Sequence, residues 1–83
     1  MITAGMIQDL IAQGLPGCQV HVEGDGRHWY ATVISALFGG KSLLQQQRLV
    51  YGTLGDRLTS GEIHALSVKT YTPDEWQKTQ VPG

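Results

Sequence analysis

The run CQVHVEGDGRHWYATVIS, residues 18–35, is the segment that most restricts what this chain can fold into. Cys18, Val20 and Val22 alternate with Gln19, His21 and Glu23, and a period of two gives a strand with one buried face. Gly24-Asp25-Gly26 follows, a trio that tolerates positive φ and lets the chain reverse. Residues 29–35 are rich in aromatic and β-branched side chains and form the second strand of an antiparallel hairpin. A two-stranded hairpin is marginal in water by itself, so the rest of the chain has to cover it.

The flanking segments read as helices and one more strand. Thr3 caps a first helix, in which Ile7, Leu10, Ile11 and Leu15 recur at helical spacing until Pro16-Gly17. After Gly39-Gly40, Ser42 caps a second helix whose inward side is marked by Leu43, Leu44, Gln47, Tyr51, Leu54 and Leu58. This helix is predicted to continue through Gly52 and Gly55 to Ser60-Gly61, although each glycine costs about 1 kcal/mol relative to Ala. Residues 62–71, EIHALSVKTY, form a third strand. Its alternation leaves two choices, a face of His64, Leu66 and Val68 or a face of Ile63 and Ala65. Thr72, Pro73 and Glu75 then make a capping box that starts a last helix, anchored by Trp76. Residues 79–83 are expected to fray.

The resulting order is α-β-β-α-β-α, an α+β fold. Strand two, helix two and strand three form a crossover, so these strands run parallel if adjacent, with a right-handed connection. The helices are expected to cover one face of a three-stranded mixed sheet. At 83 residues the chain makes one domain, residues 1–83, with a small core, since 41% of it is apolar.

Six Lys/Arg against seven Asp/Glu leave a net charge of −1, which argues against strong non-specific binding to nucleic acid. The single cysteine excludes an internal disulfide and falls short of a structural zinc site. The N-terminal MITAGMIQDLIAQG lacks a basic n-region, and no apolar run reaches the ~20 residues of a membrane span. A cytoplasmic protein that does not bind membranes is expected.

Gly40-Lys41-Ser42 matches the end of a phosphate-binding P-loop. The glycine that should open such a loop is replaced by Ser35, and Ala36, Leu37 and Phe38 suit a core better than a phosphate cradle. The tripeptide is therefore read as a turn followed by a helix cap. No catalytic constellation is present either, and the chain is read as not being an enzyme. Asp25, Asp56, Asp74 and the glutamates are scattered, and Ser42 and Ser67 lack an evident base. Cys18 reads as a small strand residue.

Three histidines remain, His21, His28 and His64. A lone histidine is ordinarily a surface or hydrogen-bonded residue. His28 at the end of the hairpin loop and His64 at the start of strand three are the pair placed to converge on one side of the sheet. Two imidazoles are too few to hold a metal tightly, so a partner would have to supply the remaining ligands.

LFGGKSLLQQQRLVYGTL and, after a short gap, IHALSVKTYTPDEW resemble the BolA-like family, and VEGDGRHW resembles the loop of its short YrbA-type branch. The Phe-x-Gly-Lys, Gln-x-Arg and Ile-His-Ala-Leu elements occur in the family's order. The resemblance implies a fold similar to a type II KH domain. It also implies pairing with a monothiol glutaredoxin carrying glutathione, and a bridging [2Fe-2S] cluster shared by the pair, with no cofactor in the isolated chain. The chain would supply the histidine of Ile-His-Ala-Leu, His64, and a second ligand from the hairpin loop. That loop lacks a cysteine, so His28 is chosen, with Cys18 and His21 in the preceding strand ranked below it. Imidazole ligation tends to raise a cluster's reduction potential.

The alternative is a KH-like, nucleic-acid-binding transcriptional regulator, with Arg27, Lys41, Arg48 and Lys69 as its basic patch. KH domains clamp RNA with a Gly-x-x-Gly loop, and no such clamp is expected here. The adaptor in iron-sulfur trafficking or iron sensing is the preferred reading. Whether the free chain is a monomer or a homodimer is left open.

Overall fold

Local hydrogen bonds start each of the longer helices. Thr3 Oγ1 accepts the Met6 N–H at 3.2 Å and opens α1 (Ala4–Gly14). Ser42 Oγ accepts from Gln45 N while Gln45 Oε1 accepts from Ser42 N, a capping box that opens α2 (Leu43–Leu54). Thr72 and Glu75 exchange the same pair of bonds and open α4 (Pro73–Gln80). Each cap satisfies N–H groups that have no partner inside the helix.

The computed structural model describes residues 2–80. The hairpin strands are β1 (Gln19–Gly24) and β2 (His28–Ile34), and β3 (Ala65–Tyr71) completes a sheet of order β1-β2-β3. β1 and β2 are antiparallel, with Gln19 opposite Ile34 and Gly24 opposite Trp29. β2 and β3 are parallel, with His28 opposite Ala65 and Ile34 opposite Tyr71.

The core lies between the sheet and the layer of α1 and α2. Val22, Trp29, Ala31, Val33 and Val68 from the sheet meet Ile7, Ile11, Val50 and Leu54 from the helices, with Phe38 and Ile63 closing the ends. A fully buried side chain of this size contributes about 1.5–3 kcal/mol. The Trp29 indole N–H is buried without an acceptor among the described residues. That desolvation costs about 1–3 kcal/mol, which burial of the ring offsets.

The second helix departs from the sequence expectation in two ways. Gly55 adopts φ 53 and ψ −132, a conformation open to glycine, and it divides the helix into α2 and a short α3 (Asp56–Thr59). Leu43 and Leu44, expected to face inward, are 62% and 57% exposed. Tyr51, Gln47 and Gln46 of α2 reach Leu66 O, Val68 O and Thr70 Oγ1 of β3 in turn. One helical turn earlier, the two leucines lie past the last residue of β3, where the sheet no longer covers them.

The third strand begins at Ala65 rather than Glu62, and the choice of face is resolved: Val68 is buried toward α2, with Leu66 packed against the core beside it. Tyr71 alternates to the opposite face and packs on Trp76 of α4, ring centroids 5.2 Å apart. α1 and α2 therefore cover one face, while α4 is held at the far end of β3. Of the tail expected to fray, Thr79 and Gln80 belong to α4, and residues 81–83 lie outside the described residues.

At the end of α1, Gly14 packs directly on Thr53 of α2; a Cβ there would sit 2.7 Å from Thr53 Cβ and 3.3 Å from its Cα. Gly14→Ala is expected to destabilise the fold by about 1–3 kcal/mol through overpacking, against the usual gain of alanine in a helix. Urea unfolding followed by circular dichroism measures it, and an unchanged midpoint would contradict this packing.

Candidate metal centre

Each of the two leading histidines sits beside a buried anchor. His28 opens β2 and precedes Trp29, which is 4% exposed. His64 precedes β3 and follows Ile63, which is 1% exposed. The anchors fix the backbone while both imidazoles stay exposed.

The hairpin turn holds His28 from the other side. Asp25 Oδ1 accepts the backbone N–H groups of Arg27 and His28, both at 2.9 Å, and Asp25 N–H donates to His28 O at 3.2 Å. These N–H groups, His28 first, hold the Asp25 carboxyl below the ordinary carboxylate range. Of the trio that tolerates positive φ, Gly26 is the residue that adopts it, at φ 98. Gly24 is required for another reason: a Cβ there would meet the His28 carbonyl and stand 2.6 Å from Trp29 Cε3.

His64 is held from the helical side. Ile63 N–H donates to Arg57 O at 3.1 Å, and the Arg57 guanidinium lies 3.8 Å from the Glu62 carboxylate. Tyr51 and Gln47 then hold the next stretch of β3 along its free edge.

Parallel pairing joins the two positions. His28 is opposite Ala65, the residue after His64, and paired strands lie about 4.8 Å apart. Arg27, His28, His64 and Ala65 line one open recess of about 410 Å³. The two imidazoles are the only His, Cys, Asp or Glu side chains among the residues lining this recess, and no cluster of three or more such side chains occurs among the described residues.

The two lower-ranked residues are elsewhere. Cys18 precedes Gln19, whose register partner Ile34 is six residues beyond His28, about 20 Å along the strand. Burial also pushes the Cys18 thiol up, away from the thiolate that binds metals. His21 is opposite Thr32, about 13 Å along β2 from His28, and its Nε2 lies 3.9 Å from Glu23. Neither can join the recess without dismantling the sheet.

The basic patch is dispersed. Arg27 lies at the recess, and Lys41 precedes α2 at the other end of the sheet, its Nζ donating to Leu37 O at 2.9 Å. Arg48 is on α2, whereas Lys69 lines the sheet face turned away from that helix, beside Tyr30 and Ser67. The Gly-x-x-Gly pattern itself does occur, as Gly14-Leu15-Pro16-Gly17 and as Gly52-Thr53-Leu54-Gly55. Leu15 and Leu54 are 4% and 1% exposed, so both tetrads are committed to the core instead of forming an open clamp. The Gly40-Lys41-Ser42 reading holds, with Ser42 as helix cap.

Comparisons with known proteins follow the same line. The family described as "BolA-like protein" matches residues 11–75. The acid stress protein IbaG of Escherichia coli (strain K12) is 40% identical over 72 residues, covering 87% of this chain and 86% of IbaG. The DNA-binding transcriptional regulator BolA of Vibrio cholerae is 44% identical over 55 residues, covering 66% of this chain and 51% of the regulator. The structure of a BolA protein homologue from Coxiella burnetii is 46% identical with a TM-score of 0.84, covering 93% of this chain and 99% of that one.

The turn has a pH signature. A carboxyl depressed by folding stabilises the protein above its unfolded value, and that contribution disappears as pH falls through the folded value. Asp25→Ala is therefore expected to lower the melting temperature at pH 6, with the deficit closing as pH falls below about 4. Thermal scans of both proteins across that range test it; a deficit independent of pH would place the effect outside the carboxylate.

Proposed function

Since this chain belongs to the family of BolA-like proteins, we propose that it is a non-enzymatic adaptor that pairs with a monothiol glutaredoxin and shares a bridging [2Fe-2S] cluster with it. His64 and His28 are the ligands from this side, and the partner's cysteine and a glutathione thiolate are the ligands from the other. The observation that carries the reading is the recess, lined by two exposed imidazoles, one opening β2 and one immediately ahead of β3.

The chain's own contribution is positional. Asp25, Trp29 and Ile63 hold the backbone at both imidazoles, so little backbone order has to be gained on binding. Each imidazole must bind through a nitrogen free of its proton, so acidification weakens the grip. Because neither protein completes the ligand set, cluster binding and pairing form one linked equilibrium. The cluster is cargo in this scheme, passing on to a recipient in iron-sulfur trafficking or reporting iron status.

A second reading, a DNA-binding regulator, is favoured by the name of the Vibrio cholerae relative. The scattered cations and the net charge of −1 speak against it. Titration of labelled DNA at low salt is expected to show no binding, and salt-sensitive binding would favour this second reading.

His64→Ala is expected to abolish the visible absorption and circular dichroism of the bridged cluster, reconstituted with a glutaredoxin, glutathione, iron and sulfide. The far-ultraviolet spectrum of the variant should be retained, since His64 is exposed. His28→Ala is expected to weaken or alter the same signal. A bridged spectrum unchanged in both variants would remove the proposal.

A further inference from the structure

The recess holds one charged group that the shared-ligand scheme does not use. Arg27 lines it beside both imidazoles and is exposed. Among the described residues no carboxylate lies within bridging distance of its guanidinium, whereas Arg57 is paired with Glu62 and Lys41 is tied to Leu37 O. The nearest acid in sequence, Asp25, spends Oδ1 on the Arg27 and His28 backbone N–H groups. The first of those bonds also restrains the backbone of Arg27, so the side chain departs from an ordered turn.

A guanidinium is charged at every working pH, and its fork of donors matches a carboxylate. The partner's side of the proposed site is anionic, because it is built from thiolates. We infer that Arg27 is a partner-selecting residue, its guanidinium engaging a carboxylate that the cluster-sharing partner presents at the rim of the recess. The inference rests on the shared-site reading above. Two sources of that carboxylate share one chemistry, the glutathione tripeptide and an acidic side chain of the glutaredoxin. A rim charge of this kind acts mainly on association and on salt dependence.

The test compares wild type, Arg27→Gln and Arg27→Lys for affinity to a cluster-free monothiol glutaredoxin carrying glutathione, at low and high salt. Arg27→Gln is expected to weaken binding roughly 2- to 5-fold at low salt, with the difference vanishing at high salt. Arg27→Lys should retain part of the low-salt affinity. A second arm uses the diethyl ester of glutathione. Loss of the Arg27 effect there assigns the carboxylate to the tripeptide, and persistence assigns it to the glutaredoxin; both outcomes support the contact. Equal affinities and equal salt slopes for wild type and Arg27→Gln overturn it. Cluster spectra of the reconstituted wild-type pair separate the failures: a bridged cluster with no Arg27 effect removes the guanidinium contact alone, and no cluster removes the shared site together with it.

Discussion

The parallel pairing of β2 with β3 is the constraint on which the rest depends. An antiparallel pair closes through a tight turn, but a parallel pair needs a crossover across the sheet. Here the crossover is α2 with the short α3, and its burial of Val50 and Leu54 keeps the two strands in register. That register brings position 28 beside position 65, and so brings together two histidines that are far apart in sequence. Without the crossover, the hairpin would keep His21 and His28 but have no His64 beside His28, and the recess would lose half its lining.

The edges of the sheet are also put to use. β3 has a free edge, where unpaired backbone groups would invite other strands. Tyr51 and Gln47 of α2 donate to Leu66 O and Val68 O there, and on the other edge Gln8 Oε1 of α1 accepts the Val22 N–H. The bonds at 3.4 and 3.5 Å are long, so they contribute more to orientation than to stability. They align α2 along β3, and that alignment leaves Leu43 and Leu44 beyond the sheet.

The recess combines rigidity with an incomplete donor set. Rigidity comes from three groups of different kinds: the Asp25 carboxylate in the turn, the Trp29 ring in the core and Ile63 ahead of β3. Incompleteness is chemical: the recess presents two imidazoles and a guanidinium, and no third His, Cys, Asp or Glu lines it. Both properties are what the proposed adaptor role would require of this surface.

Local signals decided much of this in advance. Thr3, Ser42 and the Thr72–Glu75 pair start helices through bonds within three residues, so their effect is legible in any stretch that contains them. The period-two runs around Gly24-Asp25-Gly26 fixed the hairpin for the same reason, and the family motifs pointed to His64 and His28. Non-local pairing settled the rest. His21 shares β1 with residues near the turn and Cys18 directly precedes that strand, yet sheet register leaves them about 13 Å and 20 Å along the sheet from His28. The helical pattern ran on past Gly55 because periodicity does not record a φ of 53, and it counted Leu43 and Leu44 inward because periodicity does not record where the sheet ends. Sequence determined which segments would be helix or strand, because capping and alternation act over a few residues. Tertiary structure alone decided which side chains share a recess, because that depends on strand order, register and the length of the surfaces that meet.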